Sequence, residues 1–129
     1  MTTTEAIETI SKDFMNRYLT WIEDHNSSDM TDYEYGRKYG WGKGQQPIKD
    51  NQKSLIWFQG HIYSGRYLNG WSEIGIDRNT IYQLHKEGFL SYDYYSSYKA
   101  RMTGKTDFYY LNQIKVKEIY KLYKSTKAV

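Results

Sequence analysis

A short polar segment, residues 78–87, carries side chains whose chemistry suits the edges of DNA bases. An arginine can pair with guanine, and an asparagine or a glutamine can pair with adenine. In a helix over this segment, these polar side chains would face outward. The outward set is Arg78, Asn79, Tyr82, Gln83 and Lys86. The segment is therefore the first candidate for a contact with DNA.

Residues 67–90 contain the elements that must hold this segment in place. Gly75 lies between two apolar stretches, and a glycine reaches the backbone conformation of a sharp corner without a Cβ penalty. Asp77 is a good N-cap for a helix that starts at the next residue, and Gly88 is typical of the position just past a helix end. The pattern predicts a helix-turn-helix. Its inner side chains are Ile74, Ile76, Ile81 and Leu84.

Seven residues of this stretch fit one pattern, Arg-x-Thr-Ile closing into Leu-x-x-x-Gly-Phe-Leu. They are Arg78, Thr80, Ile81, Leu84, Gly88, Phe89 and Leu90. In this pattern the chain resembles the winged helix-turn-helix superfamily of DNA-binding proteins. The resemblance implies an α+β, mainly helical fold with the recognition helix 78–87 in the major groove, and it adds Thr80 to the residues expected to contact DNA. Two departures are Trp71, where the family usually has a small residue, and a recognition helix about one turn shorter than in many members.

After residue 88 the apolar period changes from helical to alternating, which is typical of strands. Residues 89–95 and 107–111 are rich in aromatic side chains of high β-propensity, and the polar stretch between them contains Gly104 for a turn. The sequence therefore predicts a β-hairpin over 89–111. The resemblance makes this hairpin the wing, with Lys99, Arg101 and Lys105 at its tip against a phosphate backbone or the minor groove. A basic tip that contacts only solvent is the alternative.

Residues 36–46 mix glycines with basic and aromatic side chains. Cations suit phosphates and exposed rings suit unstacked bases, so this loop is a second candidate for contacts with DNA. Its candidate residues are Arg37, Lys38, Tyr39, Trp41 and Lys43. We favour a simpler interpretation, an ordinary surface loop held by Trp41 in the core. The run around Lys43 lacks the Lys-Ser/Thr pair of a phosphate-binding loop.

Capping residues and apolar spacing predict four further helices. They span residues 2–25, 31–38, 52–64 and 113–124. The first opens with a capping box formed by Thr2 and Glu5, and its apolar face packs either on this chain or on a second subunit. The predicted organisation is a single domain, 1–129. Its parts are an N-terminal helical extension with the basic-aromatic loop (1–46), a winged-helix core (50–111) and a C-terminal helix (112–129).

Composition and charge restrict the classes of protein that the chain can belong to. A core rich in tyrosine is expected, because there are 15 tyrosines against 4 phenylalanines. The absence of cysteine excludes disulfides and thiolate metal sites, and no run approaches the length of a membrane-spanning helix. A soluble cytoplasmic protein is expected. Acidic residues dominate 1–34 and basic residues dominate 97–129, which fits either a side that faces a polyanion or ordinary solvated helix faces.

The titratable residues predict no catalytic site, metal site or cofactor. The three histidines, His25, His61 and His85, stand alone rather than at metal-ligand spacing. Glu23 and Asp24 are adjacent, so they lie on different faces of a helix and cannot act on one substrate. We therefore expect that the protein is not an enzyme.

Two functional hypotheses remain. The first is a sequence-specific DNA-binding protein, a small transcriptional regulator whose partner is double-stranded DNA. The last helix leaves open whether it acts as a homodimer. The second is a protein-interaction module of a phage or mobile element that uses a winged-helix scaffold to bind and inhibit a host protein. A contiguous exposed aromatic patch away from the recognition helix would favour the second hypothesis.

Overall fold

The computed structural model describes residues 1–44 and 47–127, so Gln45 and Gln46 of the predicted basic-aromatic loop lie outside the described residues. The described residues form seven helices and three short strands. The helices are α1 (Thr3–Asn26), α2 (Asp32–Tyr39), α3 (Gln52–His61), α4 (Leu68–Ser72), α5 (Arg78–Lys86), α6 (Tyr94–Met102) and α7 (Gln113–Lys127), and the strands are β1 (Arg66–Tyr67), β2 (Leu90–Tyr92) and β3 (Phe108–Leu111). The prediction of a mainly helical α+β fold is confirmed. Within the described ranges, no helix combines the length and the apolar character that crossing a membrane requires.

The long helix α1 forms one side of the hydrophobic core. Its capping box is confirmed, because the N–H of Glu5 donates to Thr2 Oγ1 at 3.1 Å and the N–H of Thr2 donates to Glu5 Oε1 at 3.0 Å. The apolar face of α1 packs on this chain. The rings of Phe14 and Tyr18 lie 5.6 and 5.7 Å from the ring of Phe58 on α3. The predicted N-terminal extension therefore shares one core with the rest of the chain.

The three strands form a sheet in the order β1-β3-β2, and both pairings are antiparallel. Leu90 of β2 lies opposite Leu111 of β3, so the predicted pairing of these two strands is confirmed. β1 is absent from the sequence predictions, since two residues are too few to show an alternating pattern. It places Tyr67 opposite Phe108 and thereby fixes the start of α4 against the central strand.

The connection between β2 and β3 is a helix, so the prediction of a simple hairpin over 89–111 is wrong in its middle. α6 begins at an N-cap that the prediction overlooked, because the Asp93 side chain accepts a hydrogen bond from the N–H of Ser96 at 2.9 Å. The small buried residues Ser97 and Ala100 let α6 lie close to β3. The hydroxyl of Ser97 also accepts a hydrogen bond from the N–H of Phe108 at 2.8 Å.

The two short helices predicted around Gly75 are present as α4 and α5. Gly75 has a φ of 84° at the corner, and Gly88 has a φ of 81° past the end of α5, both in the left-handed region that favours glycine. The Trp71 side chain of α4 is fully buried beneath α5. Of the four predicted inner residues, Ile76, Ile81 and Leu84 are also fully buried. The fourth, Ile74, is half-buried.

The last helix, α7, packs on α3. Asn112 caps it as predicted, since its Oδ1 accepts a hydrogen bond from the N–H two residues later at 2.9 Å. The carboxylate of Asp50, just before α3, joins three parts of the fold. It accepts hydrogen bonds from Tyr18 on α1 and from Tyr120 and Lys124 on α7. This chain's own residues therefore hold α7 in place.

Asp50 should make the stability of the fold depend on pH. Burial acts to raise the pKa of this carboxyl, but the hydrogen bonds from Lys124, Tyr120 and Tyr18 outweigh it and hold the pKa below its ordinary value of 3.8. A carboxyl whose pKa is lowered by folding stabilises the fold above its unfolded pKa and loses that contribution as the pH falls through the folded value. We expect the free energy of unfolding, measured by urea titration, to decrease from about pH 5 to about pH 2.

The matched variants for this prediction are Asp50→Asn and Asp29→Asn. Asp50→Asn should lower the stability at neutral pH and flatten part of the acid dependence, because the amide does not titrate. Asp29 is exposed and lies apart from the Asp50 hydrogen bonds, so its variant should behave as the wild type does. An Asp50→Asn variant that keeps the full acid dependence would contradict the assignment.

Candidate nucleic-acid interface

α5 presents a polar face to solvent. All five side chains predicted to face outward are exposed, which confirms the predicted orientation of the helix. They are Arg78, Asn79, Tyr82, Gln83 and Lys86. They stand on a short helix that lies between Gly75 and Gly88 and is held on the core by the buried side chains of Ile81 and Leu84. The face is therefore held at a defined angle to the core.

Thr80 does not belong to this face. Its side chain is only 6% exposed, and its hydroxyl donates a hydrogen bond to the carboxylate of Asp77. The family pattern places a threonine at this position without stating which way the side chain points. Because Thr80 points inward, we correct the sequence prediction and remove it from the residues that could contact DNA.

The side chains on the face of α5 differ in how far they are engaged with the chain. Gln83 donates to Glu87 Oε1 at 3.2 Å, and the ring of Tyr82 lies 6.4 Å from the ring of Tyr109. Within residues 1–44 and 47–127, no hydrogen bond or ion pair engages the side chains of Arg78, Asn79 or Lys86. The side chains of Arg78, Asn79 and Lys86 can therefore bind a ligand without breaking a hydrogen bond or ion pair in the described part of the protein.

Carboxylates border this face at both ends. Asp77 precedes α5, and the hydrogen bond from Thr80 holds its pKa below the ordinary value of 3.8, so it is charged at neutral pH. Glu87 follows α5 and is exposed. The two cations Arg78 and Lys86 therefore stand beside negative neighbours. Hydrogen bonding by the polar side chains must contribute to any binding here, because the local net charge is small.

All three predicted wing cations are exposed, and two of them make no ion pair within the described ranges. Lys99 lies on α6, with its Nζ 4.8 Å from the centre of the Tyr95 ring. Lys105 lies in the loop after α6, with its Nζ 5.6 Å from the centre of the Tyr67 ring. Both ammonium groups can reach an anion outside the protein, since neither makes an ion pair in the described part of the chain.

Arg101, the third predicted wing cation, has a structural partner. Its Nε donates to Asp107 Oδ1 at 3.2 Å, and its Nη2 donates to the hydroxyl of Tyr92 at 3.0 Å. These contacts tie the end of α6 to the segment before β3 and to β2. Arg101 would have to give them up to bind a phosphate, so it is a weaker candidate than Lys99 or Lys105.

α6 also exposes aromatic side chains that were not predicted as site residues. Tyr94, Tyr95 and Tyr98 are 80%, 68% and 65% exposed, and Met102 is 73% exposed. The spacing of four between Tyr94, Tyr98 and Met102 places these three on one side of a helix. This helical spacing could have revealed the aromatic surface. The sequence prediction instead assigns the segment to the end of a strand and a turn, where a spacing of four has no such meaning.

The basic-aromatic loop at 36–46 does not form one free surface. Its first residues are the end of α2, where Lys38 and Tyr39 donate hydrogen bonds to Asp24 at 2.7 and 2.5 Å. Burial and the nearby Asp24 carboxylate raise the pKa of Tyr39. Lys43 donates to backbone carbonyls that follow α1. The third predicted cation of the loop, Arg37, makes no hydrogen bond or ion pair through its side chain within the described ranges. Its guanidinium lies 5.8 Å from the centre of the Tyr33 ring.

Trp41 is not in the core, which corrects the interpretation favoured from the sequence. Its side chain is 46% exposed. The ring lies against two other surface rings, with centroid distances of 5.9 Å to Trp57 and 5.6 Å to His61. This aromatic cluster stands on α3 and on the segment after α2, so it holds that segment to the surface of the helix.

Within residues 1–44 and 47–127, no group of three or more histidines, cysteines or carboxylates is placed to hold a metal ion. The chain matches no protein-family model, no curated protein and no solved structure. Its function is therefore inferred from the two exposed surfaces on α5 and α6.

Proposed function

We propose that the protein binds double-stranded DNA through a winged-helix core, with α5 in the major groove, and that it acts as a small transcriptional regulator. The observation that carries the proposal is the exposed polar face of α5, where Arg78, Asn79 and Lys86 are unengaged within the described ranges. Arginine and asparagine are side chains that read guanine and adenine in the major groove.

The order of elements supports the winged-helix assignment. Three helices, α3, α4 and α5, follow in this order with the two-residue strand β1 between the first two, and a pair of antiparallel strands, β2 and β3, comes after the last helix. This is the order expected for a three-helix core and a wing. The chain departs from a simple wing by the helix α6 between the two strands.

The exposed polar and basic side chains have different roles in this proposal. Arg78 and Asn79 stand at the start of α5 and contact base edges, while Lys86 at its end contacts a phosphate. Lys99 and Lys105 on the α6 side contact the backbone further along the duplex. Phosphate contacts fix the register of a protein on DNA, and contacts with base edges give the sequence preference.

Titration of the protein against random-sequence duplex DNA tests the proposal. On random-sequence DNA, where Arg78 has no matching base edge, we expect Arg78, Lys86, Lys99 and Lys105 each to neutralise one phosphate. This gives a slope of log K against log salt of about −3.6, which is four times −0.9. We therefore expect a fourfold rise in salt to weaken binding by about 150-fold. Fluorescence anisotropy measures the affinities, and the mass in solution decides whether one or two chains bind.

The absence of binding at low salt would contradict this function. It would favour the alternative, a module that binds a host protein, because tyrosines are frequent anchors in protein interfaces and α6 exposes three of them. The basic residues on the same helix are the reason to place a nucleic acid on this surface first.

A further inference from the structure

α6 exposes three tyrosine rings and one methionine side chain, which we call the α6 patch and define as Tyr94, Tyr95, Tyr98 and Met102. Each of these side chains is at least 65% exposed. Tyr94 and Tyr98 are four residues apart, so they stand one above the other along the helix. Exposed rings grouped in this way mark a surface that binds a partner.

Within α6 and the loop that follows it, every charged side chain is basic. Residues 94–106 contain Lys99, Arg101 and Lys105 and no aspartate or glutamate. The carboxylates at the two ends of this segment already have partners. Asp93 caps α6 through the N–H of Ser96, and Asp107 binds Arg101. The α6 patch therefore suits a polyanion, and among polyanions it suits one that also offers flat apolar surfaces.

We propose that the α6 patch binds unpaired bases of DNA, next to the duplex that α5 holds. Bases within a duplex already stack on one another and show only their edges, whereas unpaired bases can stack on protein rings. Lysines beside such rings hold the strand by its phosphates. The inference rests on the proposed function, and it adds a preference for duplexes that carry a single-stranded region.

The rings of the α6 patch are suitably placed for stacking. Tyr94 packs edge-on against Tyr92 at 4.7 Å, which fixes its ring while leaving it 80% exposed. Tyr98 makes no ring contact with any residue in the described ranges and is 65% exposed, so it is also accessible to a base. A ring that is held by one neighbour and exposed on its other side loses little freedom when a base stacks on it.

Anisotropy titrations with two labelled DNAs test the inference. One DNA is a blunt duplex, and the other is the same duplex with unpaired thymidine arms at one end. The wild type should bind the forked DNA at least about fivefold more tightly for each base that stacks. The variant Tyr94→Ser/Tyr98→Ser should lose this preference and keep the affinity for the blunt duplex. Both side chains are exposed, so the variant should fold, and its thermal unfolding checks that it does.

Tyr33→Ser is the matched control, because Tyr33 is 71% exposed and lies on α2 away from the α6 patch. It should keep the preference for forked DNA. Equal binding of both DNAs by the wild type would overturn the inference while leaving the proposed function intact. A preference that survives in Tyr94→Ser/Tyr98→Ser would also overturn it and would leave the α6 patch to a protein partner. Failure of the proposed function is seen separately, as loss of binding to the blunt duplex.

Discussion

Replacing Gly65 with alanine is expected to lower the free energy of unfolding by about 2 to 6 kcal/mol. Gly65 has a φ of 142°, a backbone conformation that residues with a Cβ atom rarely adopt. An added Cβ would lie 2.5 Å from Phe108 Cε1 and 2.9 Å from the carbonyl oxygen of Tyr109. The Phe108 ring can turn away, but the carbonyl belongs to the central strand and cannot. Backbone strain and the steric clash therefore add together.

Gly60→Ala is the matched control for this change. Gly60 lies within α3, its φ is not positive, and an added Cβ would meet nothing within 4 Å. Alanine is favoured over glycine inside a helix, so this variant should gain up to about 1 kcal/mol. Urea unfolding followed by tryptophan fluorescence measures both. A Gly65→Ala variant as stable as the wild type would show that β1 can move away from β3.

The position of Gly65 links stability to the candidate interface. It directly precedes β1, which pairs with β3, and α4 begins directly after β1. A displaced β1 would shift α4 and, through it, α5. We therefore expect the Gly65→Ala variant to lose DNA affinity even at temperatures where it remains folded, since α5 must enter the groove at a fixed angle to contact bases.

The helix pair α4 and α5 could be predicted from the sequence because its signals are local. Gly75 and Gly88 mark places where the backbone needs a positive φ, and both have one. The helical spacing between them separates inner from outer side chains in α5. Thr80 is the exception, because a short polar side chain can bond to the N-cap residue as easily as it can face solvent.

α6 could not be predicted in the same way because its support comes from distant residues. The aromatic side chains at 94, 95 and 98 have high β-propensity, so they favour a strand when they are considered alone. The helix is stabilised by the Asp93 cap and by the contact of Ser97 with the backbone of Phe108 in β3. The second of these depends on a strand that follows in the sequence, so no local pattern contains it.

The α6 patch was missed for the same reason. In a strand, Tyr94 and Tyr95 would point to opposite faces, and one of them would be expected in the core. In α6 both are exposed, and Tyr98 joins them one turn later. The change from strand to helix thus exposes side chains of which a strand would have buried part.

The double substitution Arg78→Ala/Lys86→Ala is expected to have the largest effect on DNA binding. Both cations are exposed on α5 and unpaired within the described ranges, so their loss should cost the protein little stability. If each neutralises one phosphate of random-sequence DNA, the slope of log K against log salt becomes shallower by about 1.8 in the double variant. If the two proteins bind equally at about 1 M salt, this change in slope corresponds at about 50 mM salt to a loss of affinity of about 200-fold for duplex DNA. Anisotropy titrations at several salt concentrations measure both quantities.

The matched control is Lys53→Ala/Lys121→Ala, which removes two positive charges from α3 and α7 instead of α5. It tests whether the position of the lost charges matters or only their number. Either double variant lowers the net charge from +3 to +1. Electrostatic attraction that depends on net charge alone would weaken equally in the two variants. Contacts made by α5 predict a shallower salt slope for Arg78→Ala/Lys86→Ala and an unchanged slope for the control. Equal slopes in the two variants would contradict the placement of α5 in the major groove. They would indicate only a general attraction between a basic protein and DNA.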